Sequence, residues 1–163
     1  MSGRATLERV TASVEQTWAL GAAVGRACHR GDVVLLEGEL GAGKTQLVRG
    51  MADGMGLDAT HVASPTFVLM REYEGDGGAL LVHVDAYRLG SADELVEAGF
   101  DEELRAAGVT AVEWPSRVAG LFDAADPAVI AIAVEHADTD HRRVTVDAEA
   151  SRLEAIRLAS GDE

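Results

Sequence analysis

Apolar residues recur along the chain with two periods, and the way those periods alternate outlines a fold. Val14, Trp18, Leu20 and Val24 fall on helical spacing behind Ser13, whose hydroxyl suits an N-cap, so a first helix is predicted to run to about Arg30-Gly31. The β-branched run Val33 to Leu36 reads as a buried strand, and Leu47, Val48 and Met51 open a second helical stripe that stops near Gly54 or Gly56. Residues 57–66 carry no clear period and end in Ser64-Pro65-Thr66, which predicts a loop. Two strand-like runs, Phe67 to Tyr73 and Ala79 to Asp85, flank Gly75-Asp76-Gly77-Gly78 and predict a hairpin. Ser91 with Glu94 three residues on predicts a capping box opening a short helix, and a second short helix ends before Gly108. Val109 to Glu113 is a strand stopped by Trp114-Pro115. Val129 to His136 and Arg142 to Val146 are further strands, and Ala150 to Leu158 is a last short helix. Strands that alternate with helices early and pair like hairpins later predict a three-layer α/β domain around a mixed sheet.

Into this frame falls one motif that names a ligand. Residues 38–45 read GELGAGKT, a full match to G-x-x-x-x-G-K-[ST], placed where the strand turns into the second helix. Gly38, Gly41 and Gly43 admit backbone conformations that a Cβ would hinder, so N–H groups of the turn can point at phosphate oxygens. Lys44 supplies a point charge for β- and γ-phosphates, and the Thr45 hydroxyl is a hard ligand for Mg²⁺. A triphosphate site also needs carboxylates near the metal. Asp85 and Glu113 each close an apolar run, and each emerges beside the loop if its strand runs parallel to the loop's strand; otherwise each is a solvated acid at a strand end. His83 shares a strand face with Asp85. A transition-metal pair would need a third ligand that the sequence does not offer, so the simpler reading is a polar residue lining the site or capping the sheet. Ser64-Pro65-Thr66 alone is a turn, with Thr66 a candidate for contacting the γ-phosphate or Mg²⁺.

Composition narrows the setting. At 163 residues with 47% hydrophobic character the chain suits one domain, residues 1–163, with one sizeable core. No apolar run approaches the ~18 residues of a membrane span, and Met1 to Val10 has neither a basic start nor an apolar signal core, so a cytoplasmic protein is expected. Cys28, the single cysteine, sits among alanines and valines and reads as a small core-facing thiol. A formal charge of −14 disfavours a protein that grips a nucleic acid backbone by itself. Any role in RNA chemistry has to go through a partner.

GELGAGKT, SPTF (Ser64 to Phe67), HVDAYR (His83 to Arg88) and Glu113-Trp114, taken in this order, closely resemble the bacterial TsaE (YjeE) family, small ATPases of the tRNA threonylcarbamoyladenosine pathway. The likeness runs from about Thr11 to Val146. Gln46 stands where Thr or Ser is common, and Ala86 where Leu is usual. The resemblance implies a P-loop NTPase fold with a mixed, mostly parallel central sheet, and ATP and Mg²⁺ as cofactors. Gly41, Ala42, Gly43, Lys44, Thr45 and Gln46 would line the phosphates, and Thr45 and Glu113 would ligate the metal. Asp85 would be the acid needed for hydrolysis, and Thr66 part of a switch-like loop. Arg142 would lie near the nucleotide, Thr11 to Trp18 beside the adenine, and Trp114 beside the site. TsaD and TsaB are the implied partners, with tRNA met only through their complex and no membrane involved.

Two other classes share the motif. A small-molecule kinase needs an acceptor pocket and usually a basic lid, yet after Asp85 only Arg88 and Arg105 stand between many acids. A nucleotide-gated binding module differs from an ATPase only in lacking turnover. No N-K-x-D guanine-reading motif occurs, which disfavours a GTPase.

Overall fold

A computed structural model of the chain describes residues 3–39, 41–63 and 69–161. The elements follow as β1 (Arg4–Thr11), α1 (Val14–Ala27), β2 (Val33–Gly38), α2 (Lys44–Gly54), β3 (Met70–Glu74), β4 (Leu80–Asp85), α3 (Ala92–Glu97) and α4 (Glu102–Ala107). After these come β5 (Val109–Glu113), β6 (Val129–His136), β7 (Arg142–Glu149) and α5 (Ala150–Ala159). The strands form one sheet in the order β1-β7-β6-β2-β5-β4-β3. β6, β2, β5 and β4 pair in parallel, while β1–β7, β6–β7 and β3–β4 are antiparallel. This is the mixed sheet that the alternation of periods predicts, with the mostly parallel centre that the resemblance implies.

Strand alternation sends neighbouring residues to opposite layers. Val34 and Leu36 of β2 join a cluster with Val24 of α1, Leu47 and Met51 of α2 and Ile156 of α5, whereas Val33 joins Leu95 of α3, Phe100 and Val118 on the other face. On the first face α1 and α2 approach until their backbones touch. A Cβ on Gly21 or Gly25 would run into the carbonyl oxygens of Leu47 and Met51, and one on Gly50 or Gly54 into those of Trp18 and Ala22. The contacts advance together along both helices, so α1 and α2 run parallel.

Several elements differ from the sequence reading. β1 has no counterpart there, because only Leu7 and Thr11 of this edge strand are buried and its alternation is faint. Helix α1 does stop short of Arg30: the Arg152 guanidinium takes the Ala27 carbonyl at 2.6 Å and the Asp32 carboxylate accepts from the His29 N–H at 2.6 Å, turning the chain out of the helix. The capping box at Ser91 does not form. The Ser91 side chain makes no cap bond, and Glu94 accepts from the Gly90 N–H at 3.3 Å instead. β7 runs on to Glu149 because it pairs with β1 along its whole length. Of the predicted hairpin, β3 begins at Met70, and Phe67 and Val68 lie outside the described residues.

Candidate functional site

The site forms where β2 ends. Gly38 closes the strand with its Cα so near β6 that a Cβ would sit 2.6 Å from the Val134 carbonyl oxygen, a close-approach requirement rather than a torsional one. Gly43, with φ of 112°, turns the chain into α2, and this left-handed conformation is the one that excludes most side chains there. Leu40 lies outside the described residues.

Lys44, first residue of α2, is buried. Its ammonium donates to the carbonyls of Gly38 and Glu39, the latter at 3.2 Å, and lies 3.7 Å from the centroid of the Trp114 ring. Burial pulls the Lys44 pKa below its ordinary 10.5, against the opposing pull of Glu113, Glu37 and Asp85. A buried cation held by carbonyls and a ring face is one that an anionic ligand can claim.

The acids arrive from the next two strands. Glu113 lies opposite Leu36 on one side and Asp85 on the other, so parallel pairing brings both carboxylates to the carboxyl edge beside the loop. The Thr45 hydroxyl donates to Glu113 at 3.3 Å to one carboxylate oxygen and 3.4 Å to the other. His83 Nε2 lies 2.6 Å from Glu113 Oε2. Asp85 accepts from the Tyr87 N–H at 3.0 Å.

Thr45 and Glu113 offer hard oxygens of the kind Mg²⁺ prefers. Adjacent ligands around an octahedral ion with bonds near 2.1 Å lie about 3 Å apart, close to the spacing seen here, and Mg²⁺ normally takes one or two protein oxygens and completes its shell with phosphates and water. Among the described residues no group of three or more His, Cys, Asp or Glu is arranged to hold a metal. His83 is turned toward Glu113.

A cavity of about 970 Å³ opens over these residues. Gly41, Ala42, Gly43, Lys44, Thr45, Gln46, Asp85 and Glu113 line its middle. Thr11 to Val14, Thr139 and Asp140 of the β6–β7 turn, and Arg142 at the start of β7 line it on the β1–β7 side of the sheet, and Leu69, Tyr87, Arg88 and Trp114 on the β5–β4 side. Of the candidates named from the sequence, Thr11, Gly41 to Gln46, Asp85, Glu113, Trp114 and Arg142 therefore meet one cavity, Gly38, His83 and Trp18 do not line it, and Thr66 lies outside the described residues. Sequence reasoning missed the contact from His83 to Glu113 and the packing of Tyr87 on Trp114, with ring centroids 5.0 Å apart. Trp114 itself has φ of 60°, the one positive value outside glycine among the described residues.

The family model described as Threonylcarbamoyl adenosine biosynthesis protein TsaE matches residues 11–144. The chain belongs to the TsaE family. The Bacillus subtilis (strain 168) protein named tRNA threonylcarbamoyladenosine biosynthesis protein TsaE is 37% identical over 147 residues, 90% of this chain and 88% of that one. The Mycobacterium tuberculosis (strain H37Rv) protein of the same name is 41% identical over 145 residues, covering 84% of this chain and 83% of its own. Among solved structures, that of Bacillus subtilis YdiB superposes with a TM-score of 0.73 and 29% identity over 99% of this chain and 97% of that one. The fold is that of a P-loop NTPase, and membership of the TsaE family supports an ATPase-type hydrolase.

Proposed function

We propose that the protein is a Mg²⁺-dependent ATPase that works with TsaD and TsaB to form threonylcarbamoyladenosine beside the anticodon of tRNAs reading codons that start with A, hydrolysis supporting turnover or resetting of the complex. The observation that carries this is the convergence of Lys44, Thr45, Glu113 and Asp85 on one cavity at the carboxyl edge of parallel strands. In this reading residues 1–163 are one ATPase domain working in the cytoplasm. Gly41 to Gln46 hold the phosphates, with Thr11 and Arg142 flanking the rest of the nucleotide. Thr45 and Glu113 would hold the metal, which when bound would supply positive charge against the negative charge developing on the transferring phosphoryl group.

Lys44 leaves the Gly38 and Glu39 carbonyls for the phosphates and binds them as a point charge. Asp85 would position the attacking water or the metal, and Thr66 is the candidate for contacting the γ-phosphate or Mg²⁺. The acidic chain leaves tRNA to its partners, because a charge of −14 repels a phosphate backbone. An ATPase whose site is completed from outside is slow alone.

The test is ATP hydrolysis by the protein alone and with TsaB and TsaD added. The expected outcome is a low basal rate that rises when both are present, with Thr66→Ala blunting the rise more than the basal rate. A basal rate at its maximum with no response to the partners would move the reading to a small-molecule kinase, to be sought by phosphate transfer to added metabolites.

A further inference from the structure

We infer that His83 is a positioning residue for Glu113, holding that carboxylate in the orientation in which it can take a divalent cation; the inference rests on the reading of Thr45 and Glu113 as metal ligands. His83 is fully buried in the middle of β4, between Val82 and Val84, where an aliphatic residue would pack with no polar atom to satisfy. Its Nδ1 has no partner, so the one hydrogen bond described for the ring is that between Nε2 and Glu113 Oε2 at 2.6 Å. A carboxylate only accepts, so the proton in that bond belongs to Nε2.

The sheet register explains how the two meet. His83 pairs with Ala111, and Glu113 is its diagonal neighbour two residues on along the same face of β5. Ala111 is small enough to let the imidazole lean across it.

The bond has a specific effect on the site. Lys44 is close enough for Glu113 to strengthen its hold on its proton, and an unrestrained Glu113 could rotate onto that ammonium and form an ion pair. Such a pair would occupy both the cation meant for phosphate and the oxygens meant for metal. By fixing Oε2, His83 keeps Glu113 facing the Thr45 hydroxyl. Outer partners of metal-binding carboxylates and histidines act in this way in general.

The experiment uses the full chain, Mn²⁺ as the spectroscopic stand-in for Mg²⁺, and a non-hydrolysable ATP analogue. His83→Leu removes the donor at similar volume, and His83→Gln places a carboxamide N–H near the position of Nε2–H. In His83→Leu the Mn²⁺ concentration for half-saturation should rise about tenfold or more, and analogue binding without metal should weaken by a smaller factor because Lys44 is then shared with Glu113; His83→Gln should return to within about threefold of wild type. A folded His83→Leu with wild-type Mn²⁺ affinity, or a folded His83→Gln as weak as His83→Leu, would overturn the role.

Should His83→Leu fail to fold, the wild-type protein labelled with ¹⁵N in its imidazoles decides. A slowly exchanging, strongly hydrogen-bonded Nε2–H proton is expected, and its absence refutes the bond. If analogue binding to wild type is itself indifferent to Mn²⁺, the metal reading fails and this role with it. Metal dependence in wild type with none lost in His83→Leu sinks only the latter.

Discussion

Two carboxylates, Asp32 and Glu113, are each only 3% exposed at opposite ends of the sheet, yet their surroundings treat them differently. Asp32, just before β2, accepts from the His29 N–H at 2.6 Å and lies 3.0 Å from the Arg152 guanidinium, which also bonds the Ala27 carbonyl. Burial pushes its pKa above the ordinary 3.8, with the His29 N–H and then Arg152 pulling the other way. Glu113, at the end of β5, is met by a hydroxyl and an imidazole, and no Lys or Arg lies within ion-pair distance among the described residues. Burying a charge is unfavourable unless it is paired. The carboxylate with a guanidinium is finished and ties α5 to the start of the sheet, while the one without is the one that the proposed function assigns to a divalent cation.

That contrast can be broken most sharply at Asp32. Asp32→Ala leaves Arg152 without its carboxylate and the His29 N–H without its acceptor, and should lower unfolding free energy by about 3 kcal/mol in denaturant titration. Triphosphate affinity should stay unchanged; a large loss of affinity would mean that the two ends are not separate.

At the other end, Lys44→Ala removes the charge aimed at phosphate and should weaken triphosphate binding by about tenfold or more in calorimetry. Normal binding by the folded variant would sink the phosphate-loop assignment. Glu113→Gln should abolish the gain in affinity that Mg²⁺ gives, about tenfold, while the thermal midpoint holds or rises, since an uncompensated buried charge is gone. A fall in midpoint like that of Asp32→Ala would put Glu113 in the structural class.

Smaller effects sharpen the picture of the Asp32 end. Burial, and then the charge of Asp32, pushes the Cys28 thiol up to about 12, with Arg152 opposing. Thiol alkylation near pH 8 should therefore be negligible until the protein unfolds, and rapid labelling of the folded chain would contradict this. The pH dependence follows from the raised Asp32 value. Its folded carboxyl holds a proton more tightly than the unfolded one, so its contribution to stability is full below 3.8 and is lost as pH rises through the folded value. Asp32→Asn should flatten that decline in a series of midpoints measured from pH 3 upward.

Much of the candidate site was legible because its parts are local. The strand, the glycine-rich turn and the helix that carry Lys44 and Thr45 are contiguous, and Asp85 and Glu113 mark strand ends that only the parallel pairing had to align. What escaped depends on contacts between distant segments. The bond from His83 to Glu113 exists only in one register of β4 against β5, and the partnership of Asp32 with Arg152 only when α5 docks on α1 and the start of β2. β1 escaped for an energetic reason: an edge strand with two buried residues has little hydrophobic pattern to read. The capping box failed because Ser91 and Glu94 offered the right spacing while Glu94 found the Gly90 N–H.

The glycine-lined contact between α1 and α2 also has an electrostatic consequence. Because the helices run parallel with backbones touching, their peptide dipoles lie side by side in the same sense, an arrangement in which like ends repel. Both amino-terminal ends, at Val14 and Lys44, open on the same cavity. An anion there is attracted by two partial positive charges instead of one and relieves the repulsion between them. Binding of a polyphosphate should thus tighten the seam between α1 and α2, slowing amide exchange from Trp18 to Gly25 and from Leu47 to Gly54, residues whose side chains need never touch the ligand.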